Sequence, residues 1–140
     1  VANQQARVVR DNLRGLATED LLAPIPQAIF GHPEVASFGT RGQDAPADAV
    51  VVDRAYSSTA YGWAMEDESS FARLVVGRDG TILGAHVAGP QAAILIQPLV
   101  LAASQGQSVR GLARSLYWPH PALTEVIENA LLDAEKELSR

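Results

Sequence analysis

Acid–base chemistry needs a group that changes protonation near neutral pH and a neighbour that holds it still. One stretch offers both: Tyr117-Trp118-Pro119-His120-Pro121-Ala122-Leu123-Thr124-Glu125. An imidazole with its ordinary pKa of about 6.5 exchanges protons readily at neutral pH. Each proline ring fixes its own φ and restricts the residue before it, so His120, between Pro119 and Pro121, has little backbone freedom. Glu125 follows within one or two helical turns, and a carboxylate that accepts the N–H of one ring nitrogen fixes the tautomer. The competing expectation for Glu125 is a solvated carboxylate on an exposed helix face, the common fate of such residues.

The element that must position this pair is a helix closing the chain. Pro121 suits the first helical position, where its missing N–H has no partner to lose, and this puts His120 at the N-cap. Ala122, Leu123, Val126, Ile127, Ala130, Leu131, Ala134 and Leu138 then repeat as one helix face. Glu125 falls on the opposite side, with Glu128 and Asn129.

Upstream, Val1 to Leu13 reads as a helix with Ala2, Ala6, Val9 and Leu13 on one side and Gly15 placed to end it. Residues 16 to 26 form a connection holding Pro24 and Pro26. Ile25 to Gly39 follows, with His32 before Pro33 as a turn residue compatible with a cis bond. Thr40 to Asp48 reads as a loop with a short helical turn, and Ala49 to Tyr56 as a strand. Between Ser57 and Ser70 the alternation of Tyr61, Trp63 and Met65 suggests strand character, while Glu66-Asp67-Glu68 suggests an exposed turn. Phe71 to Gly77 and Thr81 to Gly89 are two strands joined by Arg78-Asp79-Gly80, a good hairpin signal. His86, within the second, is expected to be structural.

Gln91 to Ser104 is a helix apolar nearly all round, with Pro98 expected to kink it or remove one backbone bond. Such a helix must be buried on more than one side, which a domain this small hardly achieves alone. Ser108 is placed to cap a short helix from Val109 to Ser115. Strands grouped before helices indicate an α+β domain, an antiparallel sheet with helices packed on it.

Composition narrows the function. The 140 residues suit one domain with its own core, and a formal charge of −5 with a pI near 5.1 argues against nucleic-acid binding. No apolar segment is long enough to span a bilayer and no basic-then-apolar leader pattern is seen, so a cytoplasmic location is expected. There is no cysteine, which excludes thiolate metal sites and disulfide staples. His32, His86 and His120 share no register that would make a metal site. No glycine-rich phosphate loop or nucleophile elbow appears, so the chain shows no means of binding a nucleotide by itself.

His120-Pro121-x-x-x-Glu125 opening a C-terminal helix resembles the closing motif of the flavin-dependent pyridine nucleotide–disulfide oxidoreductases. Ile29-Phe30-Gly31-His32-Pro33-Glu34-Val35 and Ile82-Leu83-Gly84-Ala85-His86-Val87-Ala88-Gly89-Pro90 resemble further segments of that family in the same order. Tyr117 to Leu132 is most similar to the mycothione reductase branch, with lipoamide dehydrogenase and soluble transhydrogenase relatives as the alternatives. The resemblance implies that residues 1–24 end a flavin-binding domain and that 25–140 form the dimerisation domain of a homodimer. It further implies FAD and NADPH as cofactors of the whole protein and a small-molecule disulfide as substrate. His120 and Glu125 would then be the acid–base pair supplied to the partner subunit's site, with His120 and Pro121 meeting the cofactor. The fragment alone is expected to be inactive. Many members carry Glu at the position of Ile94, so any polar contact of that Glu is missing here. The other reading is a domain that serves assembly only, with no catalytic role for His120.

Overall fold

Five short runs rich in β-branched and small apolar residues pair into one antiparallel sheet in the computed structural model, which describes residues 1–19 and 24–140. The strands are β1 (Gln27–Ile29), β2 (Val35–Gly39), β3 (Val50–Ala55), β4 (Phe71–Val76) and β5 (Ile82–Ala88). Their spatial order is β1-β2-β5-β4-β3, every pair antiparallel. The helices are α1 (Ala2–Leu13), α2 (Ala60–Ala64), α3 (Ala92–Leu95), α4 (Gln97–Ser104) and α5 (Glu125–Leu138). This is the expected α+β architecture.

Strand periodicity assigns the two faces of the sheet. Ala36, Phe38, Val50, Val52, Ala72, Leu74, Val76, Ile82, Ala85 and Val87 point to one side and form a single core with α3, α4 and α5. α5 lies over β3 and β4, while α3 and α4 lie over β2 and β5. The other side carries a polar row across neighbouring strands, Gln27, Ser37, His86, Arg73 and Asp53. Arg73 donates to both Asp53 carboxylate oxygens at 2.6 Å, and His86 Nε2 lies 3.0 Å from the Thr40 carbonyl. His86 is thus a sheet residue bound to backbone, as expected.

The β4–β5 hairpin turns at Arg78-Asp79-Gly80. Gly80 takes φ +94°, and Asp79 accepts from the Thr81 N–H at 3.0 Å and the Thr81 hydroxyl at 2.7 Å. His32 lies in the bend between β1 and β2, its bond to Pro33 cis.

Several elements depart from the sequence-based expectation. Residues 57–70 hold no strand: Thr59 accepts the Gly62 N–H at 3.1 Å and starts the short helix α2, leaving Tyr61, Trp63 and Met65 exposed. The expected turn at Glu66–Glu68 is present. There Asp67 accepts the N–H groups of Ser69 and Ser70. The helix expected over 91–104 is interrupted at Ile96, two residues before Pro98, whose ring nitrogen has no N–H for the Ile94 carbonyl, so the break expected from Pro98 is present and two helices result. Leu95, Ile96, Leu99 and Ala102 are buried, whereas Ile94 is 66% and Leu101 57% exposed. Residues 109–115 form turns ending in a 3-10 turn, Ala113–Ser115, instead of an α-helix, because Gly111 takes φ +73°. Ser108 caps only a turn, accepting from the Arg110 N–H at 3.2 Å.

At the N-terminus α1 forms as expected and Gly15 follows it with φ +79°. None of its residues is buried, so among the described residues nothing covers its apolar side fully. The connection expected over 16–26 lies partly outside the described residues. No helix among the described residues is long and apolar enough to cross a membrane.

Candidate functional site

The site is built where the chain leaves the 3-10 turn at Ala113–Ser115 and enters α5. Pro121 is not in the first turn of α5 and His120 is not its N-cap. The helix begins at Glu125, after Thr124. Residues 121–124 instead make a turn in which the Glu125 N–H donates to Ala122 C=O at 3.2 Å and the Val126 N–H to Leu123 C=O at 3.1 Å. Leu123 is buried against the core, anchoring this turn from below.

Glu125 is what ends the turn and begins the helix. Its Oε2 accepts the Ala122 N–H at 3.1 Å, and its Oε1 lies 2.8 Å from His120 Nδ1. The carboxylate is 16% exposed and the imidazole 69% exposed, so the pair has a sheltered acceptor and an open ring. Glu125 is therefore not the solvated residue of the competing expectation. The His120 hydrogen bond holds its carboxyl below the usual carboxylate range, against the opposing effect of burial and with help from the Ala122 N–H and the His120 charge.

The chemistry of the ring follows from donor and acceptor rules. An ionised carboxylate only accepts, so the nitrogen facing it, Nδ1, must carry a proton. In the neutral ring Nε2 is then an unprotonated base, and in the charged ring it is a donor. The Nδ1–H···Oε1 bond survives both states. A proton can be taken up and returned at Nε2 without moving the ring, which is the property a general acid–base catalyst needs.

Of the residues singled out from sequence, His120 and Glu125 meet. Pro121 adjoins them with a cis bond to His120, and His32 and His86 belong to the β1–β2 bend and the sheet. Among the described residues no group of His, Cys, Asp or Glu is disposed to hold a metal ion. The sequence reading missed two participants. One is the Ala122 N–H, which gives Glu125 its second bond. The other is Trp118, whose Nε1–H donates to the Ala113 carbonyl at 2.8 Å. A signal for the second was available, because a tryptophan needs a partner for its N–H wherever it is covered.

Residues 25–131 match the family described as pyridine nucleotide-disulphide oxidoreductase, dimerisation domain. A mycothione reductase of Mycobacterium tuberculosis is 44% identical over 142 residues, covering 94% of this chain and 31% of that protein. A dihydrolipoyl dehydrogenase of Synechocystis is 33% identical over 137 residues, covering 92% of this chain and 29% of that one. The chain therefore spans about a third of the length of the curated relatives it matches. Among solved structures, LpdA from Mycobacterium tuberculosis superposes with a TM-score of 0.80 at 20% identity, over 92% of this chain and 29% of its own. The HOCl-induced flavoprotein disulfide reductase RclA from Escherichia coli gives 0.79 at 20% identity, over 90% and 30%. At such identities these likenesses speak to the fold, and the sequence match carries the assignment: the chain belongs to the pyridine nucleotide-disulphide oxidoreductase dimerisation-domain family.

Proposed function

We propose that this chain is the dimerisation domain of a cytoplasmic, FAD- and NADPH-dependent disulfide oxidoreductase and that His120 and Glu125 form the acid–base pair of the partner subunit's site. In this reading residues 1–24 end the flavin-binding domain and 25–140 make the homodimer. His120 Nε2 accepts the proton of an attacking cysteine thiol as its thiolate forms, and returns one to the substrate thiolate as it leaves. Thiol–disulfide exchange depends on thiolate character at both the nucleophile and the leaving group, so a proton carrier at that point acts twice. The redox thiols themselves must come from elsewhere, since this sequence has no cysteine.

A roomy groove of about 680 Å³ beside His32 is lined by Glu34, Glu66, Asp67 and Glu68, the wrong sign for a pyrophosphate. His120 and Pro121 are both exposed and would be the residues of this chain that meet a flavin held by another domain.

The observation that supports this reading is the Nδ1–Glu125 bond, which leaves Nε2 open to the outside on a ring 69% exposed. The similarity to mycothione reductases and to dihydrolipoyl dehydrogenases supports two substrate classes, a thiol-derived disulfide or a dihydrolipoyl group. Assaying the full-length protein with both separates them. Replacing His120 by Ala there should lower turnover by about 10² to 10⁴, the effect of a lost acid–base group. Unchanged turnover would reduce the domain to assembly alone.

A further inference from the structure

His120 ends a segment, Leu116 to His120, that belongs to no helix or strand. Tyr117 in this segment is fully exposed, and Leu116, 49% exposed, lines a cavity that Trp118 also walls. Trp118 is the residue of this segment that packs on the core, and its ring walls a cavity of about 190 Å³ together with Leu99, Leu112 and Leu131. Its Nε1–H donates to the Ala113 carbonyl at 2.8 Å.

Ala113 is itself fixed. It is buried, and the turn around it is closed by the Arg114 N–H to Gly111 C=O bond at 3.1 Å. That turn is clamped to α5 by Glu135, whose Oε1 accepts the Gly111 N–H at 3.0 Å and whose Oε2 pairs with Arg114. Glu135 lies about three turns beyond Glu125 on the same helix. The hydrogen bonds thus run in a closed circuit: from α5 through Glu135 to the 111–114 turn, to Ala113, to Trp118, through Pro119 to His120, and back to α5 through Glu125.

We propose that Trp118 is a positioning residue for His120. The indole bond to Ala113 fixes one end of the proline-flanked loop while Glu125 fixes the ring, so that Nε2 is presented in one orientation. Its predicted effect on turnover rests on the acid–base reading of His120, whereas its effect on the ring does not. Glu125 alone leaves a mostly exposed imidazole free to exchange its partner for water, and the anchor at Trp118 removes the backbone motion that would allow this.

The test uses Trp118→Phe, which keeps aromatic bulk and deletes the donor, and Glu135→Ala, which loosens the circuit from its other end without touching the core. In the 140-residue chain, nitrogen-15 spectra of the His120 ring and the solvent exchange rate of its Nδ1–H are measured, with thermal scans to verify folding. Both variants should remain folded and exchange Nδ1–H roughly ten-fold faster. In the full-length oxidoreductase, Trp118→Phe should lower kcat by about 10- to 100-fold at constant KM, the range for a displaced reacting group. Added to His120→Ala, it should lower turnover no further. Ring signals and exchange unchanged in both variants would overturn the proposal. Should His120→Ala prove fully active, the acid–base reading falls, and the ring measurements alone still decide whether Trp118 positions the imidazole.

Discussion

Exchanging Glu125 for Gln tests which nitrogen faces outward. Glu125 accepts two hydrogen bonds, from Ala122 N–H and His120 Nδ1–H, and Gln has one oxygen and one amide NH₂ to replace them. The Ala122 N–H is an obligate donor and claims the oxygen. The NH₂ then faces the ring, which can adapt only by making Nδ1 the acceptor and moving its proton to Nε2. Glu125→Gln therefore blocks the basic nitrogen while changing the shape of the site hardly at all. Wrong-tautomer substitutions at acid–base pairs lower turnover by about 10² to 10⁴, so this variant should be nearly as inactive as His120→Ala.

Stability responds differently, and the difference separates a chemical from a structural effect. Glu125→Ala leaves the Ala122 N–H without its acceptor, about 1 kcal/mol for a lost hydrogen bond, and removes a charge from the first turn of α5, about 0.3 to 1 kcal/mol. The bond to the mostly exposed His120 adds little after solvent screening. A total of about 1–2 kcal/mol corresponds to a Tm lower by roughly 3–6 °C for a chain of this size. Glu125→Gln keeps the bond to Ala122 and should lose no more than half of that. The carboxyl of Glu125 is held below the usual range. Its stabilisation is thus present above the ordinary carboxylate pKa and is lost as pH falls through the depressed value, so wild type and Glu125→Gln should converge in acid. The assay is the nitrogen-15 spectrum of the His120 ring at about pH 8.5, two units above an ordinary imidazole. Wild type should show Nδ1–H and the Gln variant Nε2–H. A wild-type ring carrying its proton on Nε2, or a tautomer indifferent to the substitution, would refute the argument.

Two further outcomes follow from the surface and from the sheet. Ile94 and Leu101 expose apolar side chains on α3 and α4, so the chain should sediment as a dimer or larger at micromolar concentration. Ile94→Asp with Leu101→Asp should shift it to monomer, and a wild-type monomer would count against this face as an interface. Where β2 and β5 meet, a Cβ on Gly84 would stand 2.2 Å from the Thr40 carbonyl oxygen and 2.6 Å from its nitrogen. Gly84→Ala should cost about 2–3 kcal/mol, measured by urea unfolding, because only backbone movement can relieve such a contact.

How much of this was legible in the sequence depended on how local the deciding interaction is. The β4–β5 hairpin was legible because Asp79 and Gly80 make the turn themselves, and α5 because its apolar face is periodic. The alternation of Tyr61, Trp63 and Met65 misled, since those side chains are exposed and the Thr59 cap decided the conformation instead. Pro98 was legible as a break, because its ring nitrogen has no N–H to continue the helix and the interruption falls at Ile96, two residues before it.

The start of α5 shows the limit most clearly. Proline at N1 and histidine at N-cap was a sound reading of residue preferences, yet one carboxylate overrode both by binding a backbone N–H and an imidazole at once. Had the preference prevailed, Ala122 would have been helical and its N–H would have been one of the free groups of the first turn. The observed turn instead uses that N–H to aim Glu125 Oε2, which leaves Oε1 for His120. The local preference yields where the pair forms, and this is what a site does when the orientation of one side chain matters more than the regularity of the helix that carries its partner. A Pro121→Ala exchange should accordingly leave α5 beginning at Glu125, since the carboxylate and not the proline sets that boundary.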